Sequence, residues 1–210
     1  MKKIIKYSLL GAIVITQSLL FDAIADKLAH LRTTKKIVPV KEITAPYFAI
    51  QILALQESPQ FPGYFKNINQ AREFDCADGY VRYTIGEFSS AESAREKIPE
   101  IKAKGYSECF VVDLREYNLN GSNYRNEQFS LDDNAFYTVQ LAAFRYPVYV
   151  SHFKEFDDVM EFYMDDRIYR YTVGKFRGDE AKEQLERIKS MGYPQAHLVL
   201  FDKYSSSQIE

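Results

Sequence analysis

Three short segments of the sequence recur later in the chain in the same order, and this internal repeat constrains the fold more than any other feature. The matching pairs are YFAIQILAL from position 47 and FYTVQLAAF from 136, RYTIGEF from 82 and RYTVGKF from 170, and IKAKGY from 101 and IKSMGY from 188. One such match is within the reach of chance, whereas three in the same order indicate a duplication. The chain is therefore expected to fold as two similar units.

Hydrophobic periodicity predicts the same order of elements in both units. Residues 47–55 and 136–144 are apolar and rich in β-formers, which indicates strands. The elements expected next are a short aromatic helical stretch (64–68 and 153–156), a second strand (plainest at 159–164), the RYTxGxF strand, an amphipathic helix ending at Gly105 or Gly192, and a last strand (109–112 and 196–201). This βαββαβ order predicts an α+β fold of two RNP- or ferredoxin-like units, each an antiparallel sheet with two helices on one face.

The N-terminus has the three parts of an export signal. Lysines at positions 2, 3 and 6 precede an apolar run over 7–21 that is short for a membrane span, and Ala23-Ile24-Ala25 is a small-x-small cleavage site. Cleavage predicts a periplasmic protein, with an uncleaved inner-membrane anchor facing the periplasm as the alternative. The predicted organisation is a signal peptide (1–25), a polar lead-in (26–45), repeat 1 (46–113), a linker (114–134), repeat 2 (135–202) and a C-terminal tail (203–210).

Composition and motifs argue against catalysis, metal binding and nucleic-acid binding. The net charge of -2 offers no excess of Lys and Arg for phosphates. The histidines (His30, His152, His197) lack metal-ligand spacing, and acidic pairs such as Asp165-Asp166 fall in predicted turns, where a solvated or capping role is expected. The two repeats also occupy nearly all of the chain. We therefore predict a protein that is not an enzyme and has no metal or cofactor.

The two cysteines are predicted to be free, buried thiols. Cys76 ends the second strand of repeat 1 and Cys109 begins its fourth strand. The βαββαβ topology places these two strands at opposite edges of the sheet. The Cα atoms of the two cysteines are then farther apart than the limit of about 7 Å for a disulfide.

The second copy of the repeat resembles the SPOR domain family. The segments YTVQLAAF (137–144), YRYTVGKF (169–176) and MGYPQAHLV (191–199) are similar to that family's Gln-containing strand, its Gly-containing strand and its Gly-Tyr helix end. The first copy fits more loosely, with IQILAL in the Gln strand. The resemblance covers about residues 47–112 and 136–201. It implies binding of peptidoglycan, in particular of glycan strands without stem peptides, in proteins of bacterial cell division and the cell envelope.

Strand alternation assigns the side chains that would contact a glycan. Because the apolar residues of the Gln and Gly strands must face the helices, the Gln, Arg and Thr side chains face outward on an open side of each sheet. A residue of the last strand joins them, with edge packing as its alternative role. The candidate glycan-binding residues are Gln140, Arg170, Thr172 and His197 in the second copy and Gln51, Arg82, Thr84 and Phe110 in the first. Leu53, Leu55, Ala142 and Phe144 are expected on the same face. Recurrence of Gln, Arg and Thr in both copies supports a binding role.

Non-catalytic peptidoglycan binding by two SPOR-like sheets is the leading functional hypothesis. The alternatives are an envelope protein-interaction scaffold and an accessory subunit of a cell-wall hydrolase. The expected partners are glycan strands and other envelope or division proteins, without nucleic acid, and with a membrane contact if the signal is uncleaved. Residues 136–201 keep the family pattern more closely and are expected to carry the binding.

Overall fold

The computed structural model describes residues 26–121 and 131–209. The predicted signal peptide (1–25) lies outside the described residues, as does part of the predicted linker (122–130). The fold is α+β, with one five-stranded and one four-stranded sheet. No helix in the described ranges combines the length and the apolar character that a membrane crossing requires.

Both repeats place the Gln strand and the Gly strand side by side at the centre of a sheet. The first unit consists of β1 (Lys36–Pro39), β2 (Phe48–Leu55), β3 (Gln70–Asp75), β4 (Val81–Phe88), α1 (Ala91–Ala103) and β5 (Phe110–Asp113). The second consists of β6 (Phe136–Phe144), β7 (Val159–Tyr163), β8 (Tyr169–Arg177), α2 (Gly178–Ser190), β9 (His197–Leu200) and α3 (Asp202–Ser205). The sheet orders are β1-β3-β4-β2-β5 and β7-β8-β6-β9, which confirms the predicted adjacency of the Gln and Gly strands.

Each repeat has one long helix on its sheet and not the two that were predicted. Around the positions of the expected first helix the chain forms 3-10 turns, Pro62–Tyr64 and Val150–His152. Nucleating a helix is unfavourable in so short a segment, and the Pro-Gly pair of the first turn disfavours it further. The aromatic spacing reflects burial instead, because Phe65 and Phe153 are 0% and 2% exposed and anchor the turns in the two cores.

The glycine of each RYTxGxF motif produces a β-bulge. Gly86 and Gly174 have φ angles of 75° and 69°, and the register of the two central strands shifts at these positions. The phenylalanine two residues later lies directly over the glycine. A Cβ atom on Gly174 would stand 2.0 Å from Cζ of Phe176. The Gly-x-Phe part of the motif is therefore a structural requirement of the bulged strand.

A second bulge, in each Gln strand, changes which side chains face the core. Gln51 pairs with Thr84, whereas Leu53 pairs with Tyr83, so that β2 has one more residue than β4 at this point. The strand β6 does the same at Gln140. Beyond the bulge, the residues predicted to face outward pack against the cores instead: Leu53, Leu55, Ala142 and Phe144. That prediction was wrong because simple alternation ends at a bulge.

The predicted polar lead-in takes part in both units. The strand β1 pairs in parallel with β3 at the edge of the first sheet, while Leu28 and Val38 of the lead-in pack against the core of the second unit. Conversely, Tyr146, which follows β6, is buried in the core of the first unit and donates a hydrogen bond to the Pro59 carbonyl (2.6 Å). The two repeats are therefore interlocked through their flanking segments.

Two buried ion pairs stabilise this interlock. Glu73 on β3 accepts a hydrogen bond from Nε of Arg145 of the second repeat (2.9 Å). At the equivalent position on β7, Glu161 lies 2.9 Å from the guanidinium of Arg32 of the lead-in. Each carboxylate also accepts a hydrogen bond from the motif tyrosine of its own repeat. Because Glu73 and Glu161 are 2% and 0% exposed, removal of the arginine that each one contacts leaves a buried carboxylate with less compensation.

The cysteines are free and buried, as predicted. Cys76 directly follows β3 and Cys109 directly precedes β5, and β4 and β2 lie between those strands in the sheet. Burial raises the pKa of both thiols above the ordinary value, which favours the protonated form.

Candidate functional site

The predicted binding residues of each repeat lie together on the sheet face opposite the long helix. Three of them are direct neighbours across three strands. The arginine lies two residues before the threonine on the Gly strand and so faces the same side. The row in the first sheet is Phe110, Gln51 and Thr84, with Arg82 beside it. The row in the second sheet is His197, Gln140 and Thr172, with Arg170 beside it. The sequence therefore grouped these side chains correctly.

The centre of this face is covered, although an open face was expected. The chain that follows the last strand of each repeat crosses the face, and we call residues 114–119 and 202–209 the crossing segments. Beneath them Gln51 and Gln140 are 9% and 8% exposed, and both motif threonines are fully buried. Within the described residues neither threonine hydroxyl has a hydrogen-bond partner. The central residues of the candidate site are thus covered by the crossing segments, which limits their access to a ligand.

One tyrosine of each crossing segment occupies the same place in both repeats. Tyr117 donates a hydrogen bond to Oε1 of Gln51 (2.5 Å), and Tyr204 donates one to Oε1 of Gln140 (2.7 Å). Burial raises the pKa of Tyr117 far above its ordinary value, so its hydroxyl remains protonated and donates. Sequence reasoning missed these tyrosines because they lie in the segments assigned to the linker and the tail. Tyr117 and Tyr204 lie at the same distance in sequence after the ends of β5 and β9, and this equal spacing could have indicated that the two tyrosines are equivalent.

The arginine of each RYT motif is held by an aspartate of the preceding turn. Arg82 makes two hydrogen bonds to Asp78 (2.8 and 2.6 Å), and Arg170 makes two to Asp166 (2.9 and 2.6 Å). The hydrogen bonds from Arg82 lower the pKa of Asp78 to about 2, so this pair is ionised at neutral pH. The guanidinium of Arg82 also lies 5.7 Å from the centroid of the Tyr80 ring. Both arginines are therefore fixed in direction before any ligand arrives.

The first sheet keeps an accessible trough beside its crossing segment. The trough has a volume of about 670 Å³ and is lined by Gln51, Arg82, Tyr117 and two aromatic residues at its rim. The rim residues Phe110 and Tyr80 are 51% and 41% exposed. Exposed rings offer an apolar surface to a ligand, and the fixed guanidinium and amide offer directed donors. This combination suits a ligand that has both apolar faces and hydroxyl groups.

The second sheet has the same polar row beneath a different rim. The position of Tyr80 is taken by Ile168, which is 1% exposed, and His197 stands in the place of Phe110. Tyr204 of the crossing segment is itself buried at 9% exposure. The two faces therefore share their internal hydrogen bonds but differ in the surface that a ligand would meet.

The chemistry available on these faces is hydrogen bonding and ring contact. Among the residues that the structure describes, no group of three or more His, Cys, Asp or Glu side chains is placed to hold a metal ion. No protein-family model, curated protein or solved structure matches the chain significantly. The arguments for function therefore rest on the geometry of the faces and on the sequence patterns.

Proposed function

We propose that the protein binds peptidoglycan without catalysis, through glycan strands that lack stem peptides. The contact surface is the trough of the first sheet. The observation that carries the proposal is the exposed ring of Phe110 beside the fixed guanidinium of Arg82. The resemblance of the repeats to the SPOR family supports a glycan as the ligand.

The groups in the trough match the chemistry of a sugar chain. A pyranose ring has an apolar face that stacks on an aromatic ring, and hydroxyl, acetamide and carboxylate substituents that need hydrogen-bond partners. Phe110 and Tyr80 supply the rings, and Arg82 supplies a guanidinium whose orientation Asp78 fixes. The hydrogen bond from Tyr117 occupies Oε1 of Gln51, so the amide nitrogen is the end that can donate to a ligand.

The trough favours the first repeat as the main contact surface, although the sequence pattern favoured residues 136–201. The reason is the rim, because the second sheet has the polar imidazole of His197 in place of Phe110 and the buried Ile168 in place of Tyr80. The closer family pattern of the second repeat includes Gln140 and Arg170, and these residues lie beneath or beside the buried Tyr204.

The proposal includes a location and a finer description of the fold. Export by the predicted signal peptide (1–25) brings the protein to the periplasm, where peptidoglycan and the envelope and division proteins lie. We also propose that each repeat is a βαββαβ unit whose first helix is reduced to a 3-10 turn. The orders β3-β4-β2-β5 and β7-β8-β6-β9 support this, because the first and third strands of such a unit are its central neighbours.

Retention on purified sacculi, with and without amidase treatment, tests the proposed function. The exported protein is expected to be retained, and more strongly after amidase treatment has removed the stem peptides. Phe110→Ala is expected to lower retention several-fold because it removes the ring of the trough. Tyr149→Ala is the matched control, since this ring is 47% exposed but lies outside the trough. Absence of retention on both preparations contradicts wall binding, and unchanged retention of Phe110→Ala contradicts the trough as its site.

A further inference from the structure

A second cavity lies between the two repeats, and we call it the inter-repeat cleft. Its volume is about 800 Å³. One wall is the segment after β2 (57–62), and the other is formed by the segment after β6 (145–147) and by Tyr163, Arg167 and Tyr169 of the β7–β8 hairpin. Ligand sites occur preferentially where two units meet in this way. None of the cleft residues belongs to the trough.

Arg167 has a backbone conformation that residues with a side chain rarely adopt. Its φ angle is 60°, and the equivalent residue of the first repeat is Gly79, with a φ angle of 85°. The two turns close with the same hydrogen bond, from the N–H of this residue to the carbonyl of Met164 or Cys76. Glycine satisfies this conformation without strain, so an arginine here lowers the stability of the turn. The fold alone therefore does not explain the arginine.

The guanidinium of Arg167 is available to a ligand. The residue is exposed and lines the cleft, and in the described part of the chain no carboxylate pairs with it. Arg145 at the floor of the cleft differs, because Glu73 neutralises it and its Nη1 also donates to the Arg167 carbonyl (3.2 Å). Among the described residues that line the cleft, Arg167 is thus a cation without a paired carboxylate, beside Arg145, which Glu73 neutralises.

Two tyrosines form a stacked surface in the same cleft. The ring centroids of Tyr163 and Tyr169 are 4.5 Å apart at an interplanar angle of 33°. Tyr163 is 40% exposed, whereas Tyr169 is buried behind it. At the same paired positions the first repeat has Asp75 and Val81, so the hairpin does not need the tyrosines in order to form. The exposed ring of Tyr163, backed by Tyr169, therefore offers an apolar surface with a hydroxyl group at its edge.

Backbone groups beside the cleft already make hydrogen bonds within the described residues, which disfavours the addition of a peptide strand there. The N–H of Tyr163 donates to the Ser207 carbonyl (3.0 Å), and the N–H of Thr33 donates to the Pro147 carbonyl (3.0 Å). Strand addition needs unpaired backbone groups of this kind. Polar side chains that line the cleft include the guanidinium of Arg167, the carboxylate of Glu57, the amide of Gln60 and phenol hydroxyls. Such separate donors and acceptors around an exposed aromatic ring suit a hydroxyl-rich ligand.

We propose that the inter-repeat cleft is a second carbohydrate-binding subsite, in which a sugar ring stacks on Tyr163 and Arg167 binds its polar or acidic substituents. This inference rests on the proposed function for its class of ligand, but it depends on different residues. Two subsites on one chain strengthen binding to a polymeric glycan, because the second contact becomes intramolecular.

Titration of the exported protein with denuded glycan-strand oligosaccharides tests the subsite, with calorimetry as the readout. Tyr163→Ala is expected to weaken binding about tenfold, from the loss of one ring contact. Arg167→Gly is expected to weaken binding while Tm stays equal to or above that of the wild type, because glycine relieves the strained turn. A purely structural arginine gives the opposite result, with unchanged binding.

Phe110→Ala and the control Tyr149→Ala separate this inference from the proposed function. If Phe110→Ala weakens binding while Tyr163→Ala and Arg167→Gly bind as the wild type does, the cleft is not a subsite and the trough stands. If Tyr163→Ala and Arg167→Gly weaken binding while Phe110→Ala binds as the wild type does, the cleft is a subsite and the trough is not the contact surface. If the wild type binds none of the oligosaccharides, both proposals are wrong. Binding of a proline-rich peptide that depends on Tyr163, without binding of sugar, overturns the class of ligand.

Discussion

The two sheet faces have the same interior and different rims. In both, a glutamine accepts a hydrogen bond from the tyrosine of the crossing segment, and a motif arginine pairs with the aspartate of the preceding turn. The first face adds the exposed rings of Phe110 and Tyr80, and the second has His197 and the buried Ile168 in their places. The residues that recur hold the crossing segment, and the residues that differ form the rim that a ligand would meet first.

This difference changes how recurrence in a repeated sequence is interpreted. Recurrence of Gln, Arg and Thr favoured a binding role at the level of sequence, yet the structure gives the Gln and the Arg a structural role in both copies. Differences in ligand binding between the copies are expected where their residues diverge, as at Phe110 and His197, or at Gly79 and Arg167. The following predictions test this division, beginning with the largest expected effect.

The two buried carboxylates are expected to be unequal in their contribution to stability. Glu161→Ala removes a buried carboxylate that accepts hydrogen bonds from Arg32 and Tyr171, and should lower the free energy of unfolding by about 3–5 kcal/mol, although Arg32 keeps its contact with Asp26. Glu73→Ala should lower it less, because the Arg145 side chain is 18% exposed and retains some solvation. Urea denaturation measures both, with the exposed Glu57→Ala as the control. Equal losses of stability would show that the two ion pairs contribute equally, which contradicts this prediction.

The bulge glycines should behave alike in both repeats. Gly174→Ala and Gly86→Ala each combine a left-handed conformation with a clash against the following phenylalanine, and should lower stability by about 2–4 kcal/mol. Gly105→Ala is the matched control for strain alone, since its φ angle is 103° and no atom lies within 4 Å of the added Cβ. Thermal denaturation ranks the three variants. A loss no larger than that of the control would contradict the role of the Gly-x-Phe motif.

Removal of the crossing-segment hydroxyls tests the shared interior directly. Tyr117→Phe and Tyr204→Phe leave Oε1 of a buried glutamine without its donor, and each should lower the free energy of unfolding by about 1–2 kcal/mol. Similar losses support one structural arrangement used twice. A neutral Tyr117→Phe beside a destabilising Tyr204→Phe would show that the first crossing segment is held mainly by its apolar contacts.

The arginine–aspartate pairs give the smallest effect, visible as a dependence of stability on pH. The pKa of Asp78 is lowered from 3.8 to about 2 by the hydrogen bonds from Arg82. The ionised pair therefore stabilises the folded state at a pH above 3.8, and this contribution to stability is lost as the pH falls from 3.8 through about 2. Asp78→Asn should therefore flatten the stability of the protein across this acidic range. Salt should reduce the effect, because the pair is largely exposed.

The sequence was sufficient to predict that the Gln and Gly strands are neighbours, and insufficient to predict the edge strand β1 or the segments that cover the sheets. The order around the central strands followed from the repeat, and Gln51 and Thr84 were placed on one face because alternation holds up to the bulge. Leu53 was misplaced because nothing in IQILAL marks the extra residue. The crossing tyrosines were missed because their role depends on a contact far away in the chain, between Tyr117 and Gln51, that local pattern does not encode.

The inter-repeat cleft was beyond sequence reasoning for the same reason. Its walls come from two repeats, and their approach depends on Arg145 and Tyr146, whose burial no local periodicity indicates. The sequence does place Arg167 at the position where the first repeat has Gly79, and this difference between the two hairpins points to the cleft. A charged residue that replaces a turn glycine between otherwise similar copies is a signal worth searching for.

The interlock through the flanking segments has a consequence for the history of the chain. A protein that retained only the first repeat would lose Arg145 and leave the carboxylate of Glu73 unpaired in its interior. A protein that retained only the second repeat, without the lead-in, would lose the contact of Arg32 with the buried carboxylate of Glu161. Once these exchanges were in place, neither copy could be deleted or transferred alone without penalty. The two copies together with the lead-in are therefore the unit that keeps both buried ion pairs.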